Sequence, residues 1–352
     1  MKNIRRHYIK TSRLTQCVRF AGRTVSEETL LFIHGNASSS VFWTEIMRKM
    51  PLRFRSIAPD LRGYGDTDDM IIDATKGMGD FVEDLVVLIN ELAINKLHLV
   101  GHSMGGSVIW RLLPALGDKV RSITLINPGS PYGFGGTKDT EGSPCFPDFA
   151  GSGGGIVNPQ FAKYIAEQYR GADDPLASPR VVMNNFYWKP PFKPTNEEAL
   201  LDSLLSEKIG SDRYPGDFVG SSNYPFVAPG VFGPANALSP KYVGDSVKNF
   251  IESANKPPVL WVRGSDDQIV SDNSLFCMGT LGKMGLIPNY PSEGVYPPQP
   301  MVSQSRAVLE KYAAQGGHFQ EVVMPSTGHS PYIEQPAVFL DLLLKHVKAA
   351  KQ

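Results

Sequence analysis

Short, almost purely apolar runs alternate along this chain with longer stretches in which apolar residues return every three or four positions. The runs at 29–34 (TLLFIH), 55–58 leading into Pro59 and Asp60, 96–101 (KLHLVG), 120–126 (VRSITLI), 259–262 (VLWV) and 319–324 (FQEVVM) predict strands. Between the second and third of them Phe81, Leu85, Leu88 and Leu92 stand at helical spacing, with Asp80 in the first turn. A last helix opens at Pro336, whose fixed φ suits the first helical position, and carries Phe339, Leu340, Leu343, Leu344 and Val347 on one stripe. Strands this rich in Val, Ile and Leu, with helices between them, predict an α/β fold. Its sheet is mostly parallel and covered by helices on both faces.

The alternation breaks after Ile126. From about 129 to 256 the chain is rich in Gly and Pro, with GSGGG at 151–155, Pro190-Pro191 and an aromatic cluster of Phe186, Tyr187 and Trp188. Leu200, Leu201, Leu204 and Leu205 predict one helix there and 242–252 another. The strand–helix rhythm resumes at Pro258, which reads as an insertion into a sheet domain. The chain then divides into a core of 1–128 and 257–352 and an inserted unit of 129–256. A second irregular stretch, 286–304, separates the last two strands, and its Pro-rich part, 287–300, rims an entrance or contacts a partner chain.

Composition removes several classes. With 352 residues, 41% apolar and 20% charged, the chain can bury a large core and is not disordered. Zero formal net charge lacks the footprint of a nucleic-acid binder or a polybasic membrane anchor, so neither nucleic acid nor membrane is expected as a partner. Lys2, Arg5, Arg6 and Lys10 are followed by no apolar segment, so no signal peptide is expected, and no apolar run approaches a membrane span. Cys17, Cys145 and Cys277 lie far apart, without the spacing of a disulfide framework or a zinc site. Reduced thiols and a cytoplasmic location are the expectation.

The chemistry concentrates at Gly101-His102-Ser103-Met104-Gly105, with Gly106 following. This G-x-S-x-G stands directly after the apolar strand LHLV and directly before a helical run. Such a turn needs small neighbours, lifts the serine Oγ above the sheet and aims a helix N-terminus at developing negative charge. Of seven histidines, His34 and His102 belong to strand-end motifs, His98 lies inside a strand, His7 and His346 lie near the ends, and His318 precedes the last strand. His329 stands in a polar loop after the final strand, where parallel sheets build their sites, and is the candidate base. A base of this kind needs a carboxylate to orient it, and the loop after VLWV offers two. Asp267 is the choice and Asp266 the fallback. His34-Gly35-Asn36, after TLLFI, and the start of the helix after Ser103 supply backbone N–H groups of Asn36 and Met104 as an oxyanion pair. Asp66, Asp68 and Asp69 lack the spacing of a calcium loop and read as a solvated loop.

Taken together, HGNASSS (34–40), DLRGYGDTD (60–68), LVGHSMGG (99–106), RGSDDQIV (263–270) and STGHSPYIEQP (326–336) resemble the α/β-hydrolase superfamily over the chain apart from its two irregular stretches. The resemblance implies a nucleophile–acid–base order of Ser103, Asp267 and His329, with the acid third after a glycine. It also implies that 129–256, after the sixth strand, is a cap. HGN followed by serines is similar to the haloalkane dehalogenases, but they and the epoxide hydrolases carry Asp where this chain has Ser103. Acyl chemistry without metal or organic cofactor is therefore expected, on a small-molecule substrate, with carboxylic ester hydrolysis as the leading reading. A lactonase, thioesterase, C–C bond hydrolase or perhydrolase would use the same residues, and a ligand-binding receptor on the same scaffold is the alternative of another class. Under this reading Phe186–188 either line an acyl pocket or hold the cap on the core.

Overall fold

The computed structural model describes residues 3–24, 26 and 28–350. Eight strands form one sheet: β1 (Arg5–Lys10), β2 (Thr15–Gly22), β3 (Thr29–Ile33), β4 (Arg55–Pro59), β5 (Leu97–His102), β6 (Val120–Ile126), β7 (Val259–Gly264) and β8 (Phe319–Met324). Their order is β1-β2-β4-β3-β5-β6-β7-β8. β2 pairs antiparallel with β1 and with β4, and every other pairing is parallel. β3 and β5, at the centre, are buried along their whole length, which is why they read as unbroken apolar runs. The six strands expected from the apolar pattern are all present, shifted by a residue or two at their ends.

Six helices flank the sheet: α1 (Thr44–Lys49), α2 (Gly79–Glu91), α3 (Met104–Leu116), α4 (Ser246–Ile251), α5 (Met301–Ala314) and α6 (Pro336–Ala349). One face packs α2, α3, α4 and α5, with Phe81, Leu113, Phe250 and Tyr312 fully buried. The other packs α1 and α6 through Trp43, Met47, Phe339 and Leu343. A helix on each side of every buried strand is what makes both sheet faces apolar.

Between β6 and β7 the chain carries the helices Pro159–Ala166 and Glu197–Leu205 and two small two-stranded sheets. Ile165, Leu201, Leu204 and Trp188 from this stretch join the apolar cluster on the α1–α6 face. Lys208 N donates to Gly63 O at 2.9 Å and Gly65 N donates to Ser206 Oγ at 3.2 Å, which pins it to the loop after β4. The stretch ends in α4, whose Phe250 packs edge-on against Trp110 of α3 at 4.8 Å between ring centroids. The Pro-rich 287–300 segment is anchored by buried Tyr296 and by Gln299, whose amide accepts from Gly135 N at 2.6 Å and donates to Gly133 O at 2.9 Å. Among the described residues no helix is long and apolar enough to cross a membrane.

Candidate active site

All the loops at issue leave the carboxyl ends of the parallel strands, the edge at which sheets of this kind build their sites. Ser103 leaves β5 at φ 54 and ψ −118 and caps the N-terminus of α3. The turn is possible because glycines stand two residues before and two residues after Ser103. A Cβ on Gly105 would sit 2.3 Å from Ile33 O, and one on Gly101 2.6 Å from Gly105 O. A Cβ on Gly35 would meet that of Ser103 at 3.0 Å, so the β3 loop lies directly against the serine. Ser103 N donates to Ile126 O at 3.0 Å, and Ser103 O accepts from Gly106 N at 2.9 Å and Gly129 N at 3.0 Å. The residue is fixed by its backbone while its side chain stays half-buried.

His329 follows β8 and Asp267 follows β7, and they meet with Nδ1 to Oδ2 at 2.8 Å, both buried. The other Asp267 oxygen accepts from the amides of Ile269 at 2.8 Å and Val270 at 3.1 Å. A carboxylate only accepts, so His329 carries its proton on Nδ1 and keeps Nε2 available as an acceptor. Asp266 instead points outward, taking Lys189 Nζ at 2.9 Å and the Ser265 hydroxyl at 2.6 Å. The Ser265 hydroxyl, then Lys189, hold its carboxyl below the ordinary range.

Neither His34 nor His102 has a ring nitrogen to spare. His34 Nε2 accepts from Leu61 N at 2.9 Å, so its Nδ1 donates to Gly35 O at 2.8 Å. His102 Nε2 donates to the carbonyl of His329 at 2.8 Å, and its Nδ1 faces the Tyr332 hydroxyl at 3.4 Å. Burial keeps both rings neutral, for His102 with help from nearby His329. His102 thus holds the His329 loop. Asn127, at φ 37 at the end of β6, does so from the other side, with Nδ2 donating to His329 O at 2.7 Å and Gly328 O at 3.1 Å. Its Oδ1 accepts from Gly264 N at 3.1 Å and so ties in β7 as well.

Asn36 and Met104 lie on the two sides of Ser103, and among the described residues no protein acceptor takes either amide hydrogen. Tyr64, from the DLRGYGDTD loop, donates to Asn36 Oδ1 at 2.6 Å and lies 3.6 Å from Met104 Sδ. From the inserted stretch, Tyr187 donates to Ala37 O at 3.0 Å, and Trp188 is fully buried. Phe186 packs edge-on against Phe276 at 5.1 Å. These contacts pack the aromatic cluster against the loop after β3 and the segment after β7. The backbone at 188–189 passes over Gly328, where an added Cβ would lie 2.8 Å from Lys189 N. Glu334 joins the same two segments, accepting from Gly328 N at 2.8 Å and Lys189 N at 2.9 Å.

The acidic loop is engaged rather than merely solvated. Asp66 pairs with Arg6 at 2.7 Å, Asp68 accepts from Thr15 N at 2.7 Å, and Asp69 pairs with Arg213 at 2.8 Å. Donors of Cys17, Asp60 and Asp66 lie within 4.8 Å of one another. Both Asp60 oxygens there already accept backbone amides, from Ser40 and Asp66, and burial pushes the Cys17 thiol up to about 12. The set is arranged as a structural knot.

A mostly parallel sheet with a strained strand-to-helix serine and a buried histidine–carboxylate pair at its carboxyl edge is the arrangement of the α/β-hydrolase fold. A model of the alpha/beta hydrolase family matches residues 30–342, and the chain belongs to that family. Among curated relatives it is similar to epoxide hydrolase 2 of Siraitia grosvenorii, 32% identical over 128 residues, which cover 36% of this chain and 40% of that one. It is also similar to the dihydrolipoyllysine-residue acetyltransferase component of the acetoin cleaving system of Cupriavidus necator, 34% identical over 34% of this chain and 30% of the other. The matches thus span less than half the length of either relative. Among solved structures, an esterase from Rhodococcus sp. ECU1013 superposes with a TM-score of 0.61 at 17% identity, covering 99% of both chains. A putative aryl esterase from Burkholderia cenocepacia gives 0.59 at 18% identity over 98% of this chain and 99% of the other, a likeness of fold.

Asn127, His102, Tyr64 and Glu334 escaped the sequence reading as site residues. Their signal is positional, since each stands in or beside a strand-end motif, but residue type alone does not separate them from ordinary loop residues.

Proposed function

We propose that the protein is a serine hydrolase that cleaves carboxylic esters through an acyl-enzyme. The observation that carries this reading is the buried pair of His329 Nδ1 and Asp267 Oδ2 at 2.8 Å, at the strand ends from which the strained Ser103 rises. In this reading Nε2 of His329 takes the Ser103 proton as Oγ attacks the ester carbonyl, and Asp267 stabilises the imidazolium. The free amides of Asn36 and Met104 receive the oxyanion, and His329 then returns the proton to the departing alkoxide. Water, deprotonated by the same nitrogen, attacks the acyl-enzyme and releases the acid. Esterases among the structural neighbours support the bond type. The epoxide hydrolases among the sequence relatives do not shift it, because an alkyl-enzyme needs a carboxylate nucleophile and this elbow carries a hydroxyl.

In the same reading 129–256 acts as a cap that shapes the acyl pocket, and the substrate is a small acyl compound. Three unpaired thiols, two of them buried, suit a reducing compartment such as the cytoplasm. Steady-state turnover of p-nitrophenyl esters from acetate to decanoate, beside a lactone, a thioester and a vinylogous 1,5-diketone, tests the bond class. Ester turnover that outpaces the others by tenfold or more is the expected result. Preference for any other member of the set replaces the ester assignment.

A further inference from the structure

Glu207 is a buried carboxylic acid without an obvious task. It is 4% exposed, and neither side-chain oxygen completes a well-formed hydrogen bond. Native structures rarely leave a buried polar group in that state without a reason. Its backbone neighbours fix where it lies: Ser206 Oγ accepts from Gly65 N at 3.2 Å, and Lys208 N donates to Gly63 O at 2.9 Å. Glu207 is thereby held from the inserted stretch against Tyr64. Ser203 adds a contact to the next segment, its hydroxyl lying 2.6 Å from that of Ser39.

The polar groups acting on the carboxyl are the Tyr64 hydroxyl and the Ala37 amide, and the hydroxyls of Tyr187 and Tyr214 also face it. No lysine, arginine or histidine is among them. Burial without a counter-charge pushes the carboxyl well above the ordinary carboxylate range, so it is the neutral acid at pH 7. A neutral acid has one donor and one acceptor to offer. Tyr64 already donates its proton to Asn36 Oδ1 at 2.6 Å, so its oxygen is free only to accept. The Ala37 amide can only donate. The acid's O–H therefore suits Tyr64 and its carbonyl suits Ala37. Ala37 stands at φ 45, a conformation that a non-glycine residue holds only under restraint.

We propose that Glu207 is a positioning residue for the oxyanion loop: through Tyr64, which touches the side chains of both Asn36 and Met104, and through Ala37, it fixes the two amides that receive the oxyanion. This rests on the serine-esterase reading above. Its chemistry is a set of polar contacts that links the inserted stretch, through Tyr64, to the side chains of the two residues whose amides receive the oxyanion. Ionising Glu207 removes the donor to Tyr64, so turnover falls as pH rises.

The test compares Glu207→Gln, Glu207→Leu and Tyr64→Phe in the full chain, with p-nitrophenyl butyrate turnover from pH 6 to 10, fluorophosphonate labelling rates and melting temperature. Gln keeps a donor and an acceptor without the ionisation. It should hold kcat within threefold at pH 7 and lose the alkaline fall. Leu should lower kcat about tenfold to a hundredfold, less than the outright loss of an oxyanion donor, with KM within twofold and no loss of melting temperature. Tyr64→Phe should lose a similar factor independently of whether the Leu variant folds. Wild-type kcat in Tyr64→Phe, a Gln variant as impaired as Leu, or an alkaline fall unchanged in Gln overturns the positioning role alone. A wild type that neither labels nor turns over overturns the serine reading, and this one with it.

Discussion

Two adjacent carboxylates show how burial assigns chemistry to a side chain. Asp267, itself buried, faces His329 and takes two backbone amides on its other oxygen, while the Asp266 side chain is 37% exposed on Lys189. Asp267→Asn leaves the loop amides bonded but sets the wrong histidine tautomer, so kcat should fall about a thousandfold to ten-thousandfold. Asp266→Asn removes only an exposed ion pair, and kcat and stability should stay within about twofold and 1 kcal/mol. Steady-state kinetics of the two variants separate them, and equal losses would reject the geometry argued for Asp267. At this scale the placement was legible: Ser103, His329 and Asp267 stand at strand ends, as their sequence positions imply, and His329 meets Asp267. Glu207 was not, because a glutamate after Leu204 and Leu205 looks like the exposed end of an amphipathic helix until the fold folds it under.

The elements carry the tolerances of the site. Gly105 lets α3 start against Ile33 O, so Gly105→Val should prevent soluble folding, while Gly220→Val, with open space around its Cβ position and no left-handed φ, should leave soluble folded protein and full turnover. Asn127 bridges β7 and the His329 loop. Asn127→Ala should therefore cut kcat about tenfold to a hundredfold with KM unchanged, by analogy with lost outer-shell partners of metal-ligating histidines. An unchanged kcat would make the bridge merely structural.

Two further histidines tie sheet and helix stability to pH. Burial pushes His98 of β5 and His346 of α6 down to about 4 from an ordinary 6.5. Each binds fewer protons folded than unfolded, so stability is complete above 6.5 and is lost as pH falls toward 4, by roughly 3 kcal/mol for one such shift. Urea midpoints at pH 7.5 and 4.5 should differ accordingly, and His98→Gln should shrink the difference. The apolar pattern announced the central strands but not β1 and β2. β1 is an edge strand exposed at five of its six positions, so it has no buried face to write into the sequence.

For the whole molecule, the inserted stretch and the core meet directly over the site. Glu334 bonds Gly328 beside His329 and Lys189 in the insertion, and Lys189 in turn pairs with Asp266. Glu334→Ala should lower the melting temperature by about 3–6 °C and speed amide exchange at 186–192, since each charge-assisted bond is worth about 1.5–3 kcal/mol. Unaltered exchange there would mean the insertion holds without it. That a long stretch without strands of the main sheet follows β6 was legible from the break in strand–helix rhythm. Its docking was not, because contacts such as Tyr187 to Ala37 join residues 150 positions apart through single polar atoms.

The proposed chemistry turns on one hydroxyl. Intact-mass analysis after exposure to a fluorophosphonate, on the wild type and on Ser103→Ala, should give a single adduct that maps to Ser103 and is absent from the variant, with ester turnover lost in parallel. Folded wild-type protein that takes no adduct, or a Ser103→Ala variant that labels and turns over like the wild type, would contradict it.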